Sequence, residues 1–377
     1  MPNTLTALQP IAYSAAKEVA AEPTAALGAI NMSFDDKGVA RGDKVRVPVA
    51  PTRAGADFTP GATNPEGADA IASNIEVEIT KSRKVSWNLT GEQLQSLQNG
   101  TTDQEWIRQL LAQGMRALRN EAEVDCVAAI RRGASRAFGT AGTTPFASDL
   151  SMLTNLRKIL QDNGAPLADL QYVCDTNAGL NLRNLGVLQN AYQAGSEEER
   201  RSGRFLPQMG FAIRESAGIS TVTKGTGSGY LVNMAGGLAV GGTDVTVDTG
   251  TGTILAGDIV TFAGTSAHRY VVNSTLASNV FRIGAPGSRV LEADNDAITV
   301  GNDFTPSLAF ERSAVVGIMR PPIFPENATI QKILVSDQSG LTYLLAQLDQ
   351  YGQTSWELHL AWGFQSVNPE FIAVGLG

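Results

Sequence analysis

Histidine occurs twice in the 377 residues, at His268 and His359, and cysteine twice, at Cys126 and Cys174. That scarcity excludes whole classes of chemistry. A zinc site needs several nitrogen or sulfur ligands close in sequence, and no second histidine, cysteine or carboxylate stands at ligand spacing from either histidine. A serine or cysteine nucleophile would have to draw its base from the same two positions, and no Gly-x-Ser-x-Gly elbow occurs. Two cysteines are too few for a disulfide framework, and each lies in an apolar pattern, so both read as buried free thiols. No apolar run approaches the roughly 18 residues of a membrane span, which predicts no contact with a membrane. Nor is there a lysine- or arginine-rich run, and the net charge is −8. Tight, groove-reading nucleic-acid binding is therefore not expected, although a surface that merely faces packed DNA need not be basic. The first lysine is Lys17 and no continuous apolar stretch follows a basic start, so the reading is of a chain without a secretory signal, made in a reducing cytoplasm. The Asn31-Met32-Ser33 and Asn88-Leu89-Thr90 sequons then carry no weight.

What is present describes a globular chain. Hydrophobic residues make up 43% against 18% charged, too apolar for disorder, and the length predicts two or three lobes. Leu5, Leu8, Ile11, Ala15 and Val19 recur at helical spacing, with Pro10 expected to break or bend the helix; this reads as an N-terminal arm. Val45, Val47 and Val49, then Ile75, Val77 and Ile79, alternate with polar residues as two legs of a hairpin, with Pro48 at an edge. Between the legs lie about two dozen residues rich in glycine and proline, a length that usually signals function. Thr102 and Glu105 fit a capping box, and the stripe Trp106, Leu110, Leu111, Met115, Leu118, Ala122, Cys126, Ile130 predicts one helix from about residue 103 to 132, a spine of roughly 45 Å. Helix and strand then alternate: 150–160 helical, 172–174 strand, 180–192 helical, 211–214 extended. From about 230 to 302 the texture changes to short β runs punctuated by glycine, asparagine and aspartate, which reads as a small, separate β-barrel inserted in the main lobe. Trp356, Leu358, Leu360, Trp362 and Phe364 alternate as the clearest strand, with the opposite face, including His359, expected to be partly solvated. Periodicity leaves Leu341 to Leu348 open between helix and strand.

Other motifs have plain readings. Gly225-Thr226-Gly227-Ser228-Gly229 lacks the lysine of a phosphate-binding loop and reads as a hinge into the insert; Arg41-Gly42-Asp43 reads as a turn, and His268 as a turn or surface residue. Glu197-Glu198-Glu199-Arg200-Arg201 is either a solvated loop or an intersubunit contact of alternating sign. Carboxylates are plentiful, but no pattern isolates a pair as acid and base.

This order of elements, an N-terminal arm, a long extended hairpin loop, a spine helix, an axial α/β domain with an inserted small β-barrel, and closing strands, resembles the α+β major capsid (coat) protein fold of tailed bacteriophages. Residues 306–314 (Pro-Ser-Leu-Ala-Phe-Glu-Arg-Ser-Ala) with Met319-Arg320-Pro321-Pro322 resemble the return from the barrel in the branch that carries one. Gly257 to Gly264 resembles the start of its barrel, and Arg204 through Gly210-Phe211 to Ser216 its axial segment. Ser339-Gly340-Leu341 and Trp362-Gly363 to Asn368-Pro369-Glu370 resemble its closing strands, which favours strand for 341–348. Glu311 departs from the pattern, standing where histidine is more usual; no catalysis attaches to that position.

The resemblance implies an arm over 1–35, the hairpin and flanking strands over 36–90, a peripheral domain with the spine over 91–145, axial segments over 146–229 and 303–330, the barrel over 230–302, and closing strands over 331–377. It further implies a structural protein, not an enzyme, with neither cofactor nor metal, whose pentamers and hexamers form an icosahedral shell around double-stranded DNA held non-specifically. Assembly in the host cytoplasm, with a scaffolding protein and a portal protein, would lead to the virion. Because an arm and a long hairpin bury little against their own subunit, the expected intersubunit contacts are Arg53, Asp57, Phe58 and Glu66 at the hairpin tip and Glu198, Arg200 and Arg201 near the capsomer axis. An encapsulating compartment shell shares the general fold, but the barrel argues against it. A carboxylate-dependent enzyme and a tail or adhesin protein are the readings from other classes.

Overall fold

The structure, a computed structural model, describes residues 5–22, 24–34, 37–49, 60–61, 73–98, 103–189, 207–324, 330–337 and 339–377. The described chain begins with α1 (Leu5–Ala20), which continues across Pro10, where a break or a bend was expected. Pro10 faces solvent, while Ala12, Ala15, Ala16 and Val19 are buried at three-to-four spacing. Packing of that stripe, not propensity, keeps the helix whole.

Next come α2 (Ala26–Ala29), β1 (Asn31–Phe34) and the hairpin legs β2 (Lys44–Val49) and β3 (Ser73–Glu78). Val45 lies opposite Val77 and Val47 opposite Ile75, as the alternation requires, and Pro48 sits on a two-stranded ribbon with no third strand among the described residues. β4 (Lys81–Thr90) and α3 (Gly91–Gln98) lead to the spine, α4 (Asp103–Arg132), whose bounds match the predicted ones. Thr102 of the expected capping box lies outside the described residues; the Glu105 carboxylate accepts from Arg108 Nε at 3.0 Å and Gln109 Nε2 at 3.2 Å.

The axial region holds β5 (Arg136–Gly139), α5 (Ser151–Asp162), β6 (Leu170–Cys174), α6 (Thr176–Asn184), α7 (Gly186–Gln189) and β7 (Phe211–Glu215). The helix expected over 180–192 starts earlier and breaks at Leu185. Asp175 sets the start, its carboxylate accepting from the Asn177 and Ala178 amides at 3.2 Å, while Leu185 takes an extended conformation.

The insert carries β8 (Leu231–Val232), β9 (Asp244–Asp248), β10 (Ile259–Phe262), β11 (Arg269–Ala277), β12 (Val280–Ile283) and β13 (Ile298–Val300). Pairing runs β8, β9, β12, β11, β10, β13 and returns to β8 through the Leu231–Ala297 bridge, closing a barrel around Val245, Val260, Phe262, Tyr270, Phe281 and Ile283. It is not separate, as the sequence suggested. β11 is long enough to pair with β5 as well, Arg269 opposite Ala137 and Tyr270 opposite Arg136, so the barrel continues the axial sheet. The glycine run at its base is likewise no hinge: Gly227 N donates to Thr253 O at 2.8 Å, Ser228 and Thr251 exchange bonds, and Gly225 N donates to the buried Asp258 carboxylate at 3.1 Å. A Cβ on Gly225 would stand 2.2 Å from the Thr253 carbonyl oxygen, so backbone proximity explains the glycine.

After the insert come β14 (Pro306–Glu311), β15 (Val315–Arg320), β16 (Ile330–Ser336), β17 (Thr342–Gln350), β18 (Gln353–Ser366) and β19 (Ile372–Leu376), so residues 342–348 are strand. The axial sheet runs β7, β6, β14, β19, β5 before entering the barrel. The peripheral sheet is built on β18, flanked by β4 on one side and by β17 and β15 on the other, with β16 and β1 outermost. Leu358, Leu360 and Trp362 pack with Leu111, Met115 and Leu118 of the spine. The other face of β18 is not solvated as expected, because the base of the hairpin lies on it: a Cβ on Gly363 would meet the Glu78 carbonyl oxygen at 2.0 Å, and His359 is only 7% exposed.

Candidate assembly surfaces

All seven side chains expected to make intersubunit contacts lie outside the described residues: Arg53, Asp57, Phe58 and Glu66 in 50–59 and 62–72, and Glu198, Arg200 and Arg201 in 190–206. The structure places their roots. The hairpin stem is anchored by Val77 and Ile79, both fully buried, through a small core with Ile318 and Ala361. Further out, Val45, Val47 and Ile75 are half-buried, and Lys44, Arg46 and Glu76 line the open face. Lys44 Nζ lies 2.9 Å and Arg46 Nε 3.5 Å from the Glu76 carboxylate, and the Lys44 hydrogen bond lowers the Glu76 pKa. At the foot of the stem Arg41-Gly42-Asp43 is the expected turn, with Gly42 at φ +92° and Asp43 accepting from the Ala40 amide at 2.7 Å.

Beside this foot, between β4 and the spine, runs an open groove of about 640 Å³ lined by Arg41, Lys81, Arg83, Glu121, Val124 and Asp125. Two ion pairs cross the groove: Lys81 Nζ to Asp125 at 2.7 Å and Arg83 Nε to Glu121 at 2.8 Å. The outer edge of β4 pairs with no strand among the described residues. A second edge, β16, carries Leu334, whose carbonyl oxygen accepts from Tyr13 Oη at 3.4 Å.

The N-terminal segment corrects an expectation. It was to bury little against its own subunit, yet α1 lies along α4 and β16 with its small-residue face in the main core. Three spine arginines hold it. Arg116 reaches Glu22 Oε1 at 2.6 Å through Nε and Glu18 Oε1 at 2.8 Å, Arg108 also binds Glu18, and Arg119 donates to the Val19 carbonyl oxygen at the end of α1. A guanidinium on the last carbonyls complements the helix dipole. The signal for this contact was in the sequence, as arginines at 108, 116 and 119 on one face of the spine, but nothing there said what they would meet.

The histidines, the cysteines and Glu311 can each be placed. His268 lies in a turn as expected, its amide bonded to Thr265 O at 3.0 Å. Glu311 caps the short turn behind it by accepting from the Ser313 amide at 3.0 Å. Glu357, which sequence spacing did not associate with a histidine, lies 3.1 Å from His359 Nε2. Cys126 and Cys174 are free and buried, and burial pushes both thiols well up from their usual range. Among the described residues, no group of three or more histidine, cysteine or carboxylate side chains is placed to hold a metal.

No family model and no curated protein matches the sequence. Solved structures do resemble it. A chain of the capsid of cyanophage P-SCSP1u superposes with a TM-score of 0.50 at 10% identity, covering 92% of this chain and 86% of that one. A chain from Mycobacterium phage Che8 gives 0.48 at 11% identity, covering 89% and 84%. One from the virus-like particle of Pyrococcus furiosus gives 0.46 at 9%, covering 97% and 98%. The superposition on the cyanophage capsid chain, which spans 92% of this protein, shows that it has the α+β fold of a phage capsid protein.

Proposed function

We propose that the chain is the major capsid protein of a tailed bacteriophage, whose copies assemble as pentamers and hexamers into an icosahedral shell around double-stranded DNA. The observation that carries this reading is the β2–β3 ribbon. Two strands alone are marginal in water, and this pair joins neither large sheet. Among the described residues its outer half has no further strand partner, and Val45, Val47 and Ile75 there are only half covered. The hairpin tip, with Arg53, Asp57, Phe58 and Glu66, is assigned to contacts across capsomers, and the Glu198 to Arg201 loop to contacts near the capsomer axis.

On this reading a scaffolding protein and a portal protein accompany assembly in the host cytoplasm, the product is a virion component, and the barrel stiffens the axial domain through β5 and β11. Expression alone and together with neighbouring genes, followed by sedimentation velocity and negative-stain electron microscopy, tests it. Closed shells or capsomer rings are expected. A discrete dimer or tetramer under both conditions would overturn the proposal and return attention to an enzyme.

A further inference from the structure

His359 is buried in the middle of the peripheral sheet, and the segment packed against it, residues 321–324, is bonded to the foot of the hairpin. Its Nε2 stands 3.1 Å from Glu357 Oε2, and Glu357 Oε1 accepts from Lys84 Nζ at 2.6 Å. Lys84 is the residue directly opposite His359 on β4, and Leu344 the one opposite on β17. Above the imidazole lies the Phe324 ring, edge-on with centroids 4.8 Å apart. Residues 321–324 are tied to the foot of the hairpin by Val39 N to Pro321 O at 3.0 Å and Ile323 N to Val39 O at 2.9 Å. Lys332 Nζ of β16 reaches the Phe324 carbonyl oxygen at 3.4 Å, and Arg320 lies on β15 opposite Ala361, on the same face as His359.

We propose that His359 is an acid-sensitive pin: neutral, it holds residues 321–324 and the hairpin foot against the sheet; protonated, it releases them. Burial disfavours charge on Glu357, but the Lys84 hydrogen bond and charge outweigh it and keep the carboxylate ionised. A carboxylate only accepts, so in the neutral imidazole the proton is on Nε2 and points at Glu357. Protonation adds a second N–H and a positive charge against an apolar ring, beside Lys84, with Lys332 and Arg320 on the same face and Glu357 the single carboxylate bonded to it among the described residues. Burial pulls the imidazole below its usual pKa, and Glu357 offsets this only in part. The sign follows. With the folded pKa depressed, the pinned state is fully stable above the free-histidine value of about 6.5 and loses stability as pH falls toward the folded value. Relief comes from opening the cover, which frees the foot of the hairpin. This rests on the fold alone and stands or falls independently of the shell reading.

Hydrogen exchange by mass spectrometry on the full chain, corrected for the pH dependence of intrinsic exchange, tests it at residues 37–49 and 320–324. Protection in the native chain should fall by up to about tenfold per pH unit below about 6.5. In His359→Gln, which can still donate to Glu357 but cannot charge, it should stay flat. Lys84→Met, which leaves the imidazolium sole claim on Glu357, should shrink the loss. Native protection that is flat between pH 7 and 5, or that falls equally in His359→Gln, overturns the proposal. Should His359→Gln fail to fold, an undiminished loss in Lys84→Met overturns it alone.

Discussion

The indole nitrogen of Trp362 donates to the Asp125 carboxylate at 2.8 Å, joining the centre of the peripheral sheet to the spine helix. The other oxygen of the same carboxylate takes Lys81 from β4 at 2.7 Å, so one side chain ties three elements together. Trp362 is fully buried, and its N–H has no water to fall back on.

Asp125→Ala should therefore destabilise by about 1–3 kcal/mol, the cost of a buried donor left without an acceptor. Trp362→Phe in the Asp125→Ala background should add less than it does alone, since the donor is then absent. Urea unfolding of the two single variants and the double variant measures this; strict additivity would show the contact to be incidental.

Glu123 gives a parallel case two residues earlier on the spine. Its carboxylate accepts from the Ala26 amide at 2.7 Å, the Leu27 amide at 3.0 Å and Ser216 Oγ at 3.0 Å, and the residue is 9% exposed. Glu123→Ala orphans all three donors and should cost about 2 kcal/mol or more. Thermal unfolding reports the loss, and amide exchange at residues 24–30 should rise first.

Gly363→Ala places a methyl group 2.0 Å from the Glu78 carbonyl oxygen. Either β3 lifts from β18 or the sheet deforms, a strain of about 1–3 kcal/mol. Cross-peak shifts or exchange confined to β3, β18 and the hairpin foot would show the first response; an unchanged stability would mean the two backbones separate freely there.

Cys126 and Cys174 should be silent to a thiol reagent at pH 8 in the folded chain and titrate as two thiols in denaturant, because burial both shields them and opposes the thiolate. Rapid native reaction of either would place it at a mobile surface.

Much of this architecture can be read from local pattern. The spine's stripe is long and regular enough to set both its ends, and the alternation in β18 is unambiguous because tryptophan and leucine occupy every second position. Failures occur where a distant segment decides the outcome. His359 stands between Glu357 and Ala361 on the face that looks half-solvated; only the arrival of Phe324 against its ring buries it. The pairing of β11 with β5 leaves no trace in the composition of either strand. Leu185 looks like one more helical leucine until the Asp175 cap sets the phase one turn early. For the site, sequence marks the hairpin by its length and punctuation, while Arg53, Asp57, Phe58 and Glu66 fall among residues the structure does not describe, so their contacts stand as proposals.

The position of β19 has a consequence for synthesis. Residues 372–376 lie between β14 and β5, in the interior of the axial sheet, and β18 holds the same place in the peripheral one. A ribosome that has delivered everything up to residue 350 has therefore made two half-sheets, each lacking the strand that joins its parts. Neither sheet can close until those residues emerge, so its completion waits on partners hundreds of residues apart, which slows folding. A chain cut before β18 is left with an open seam through both sheets.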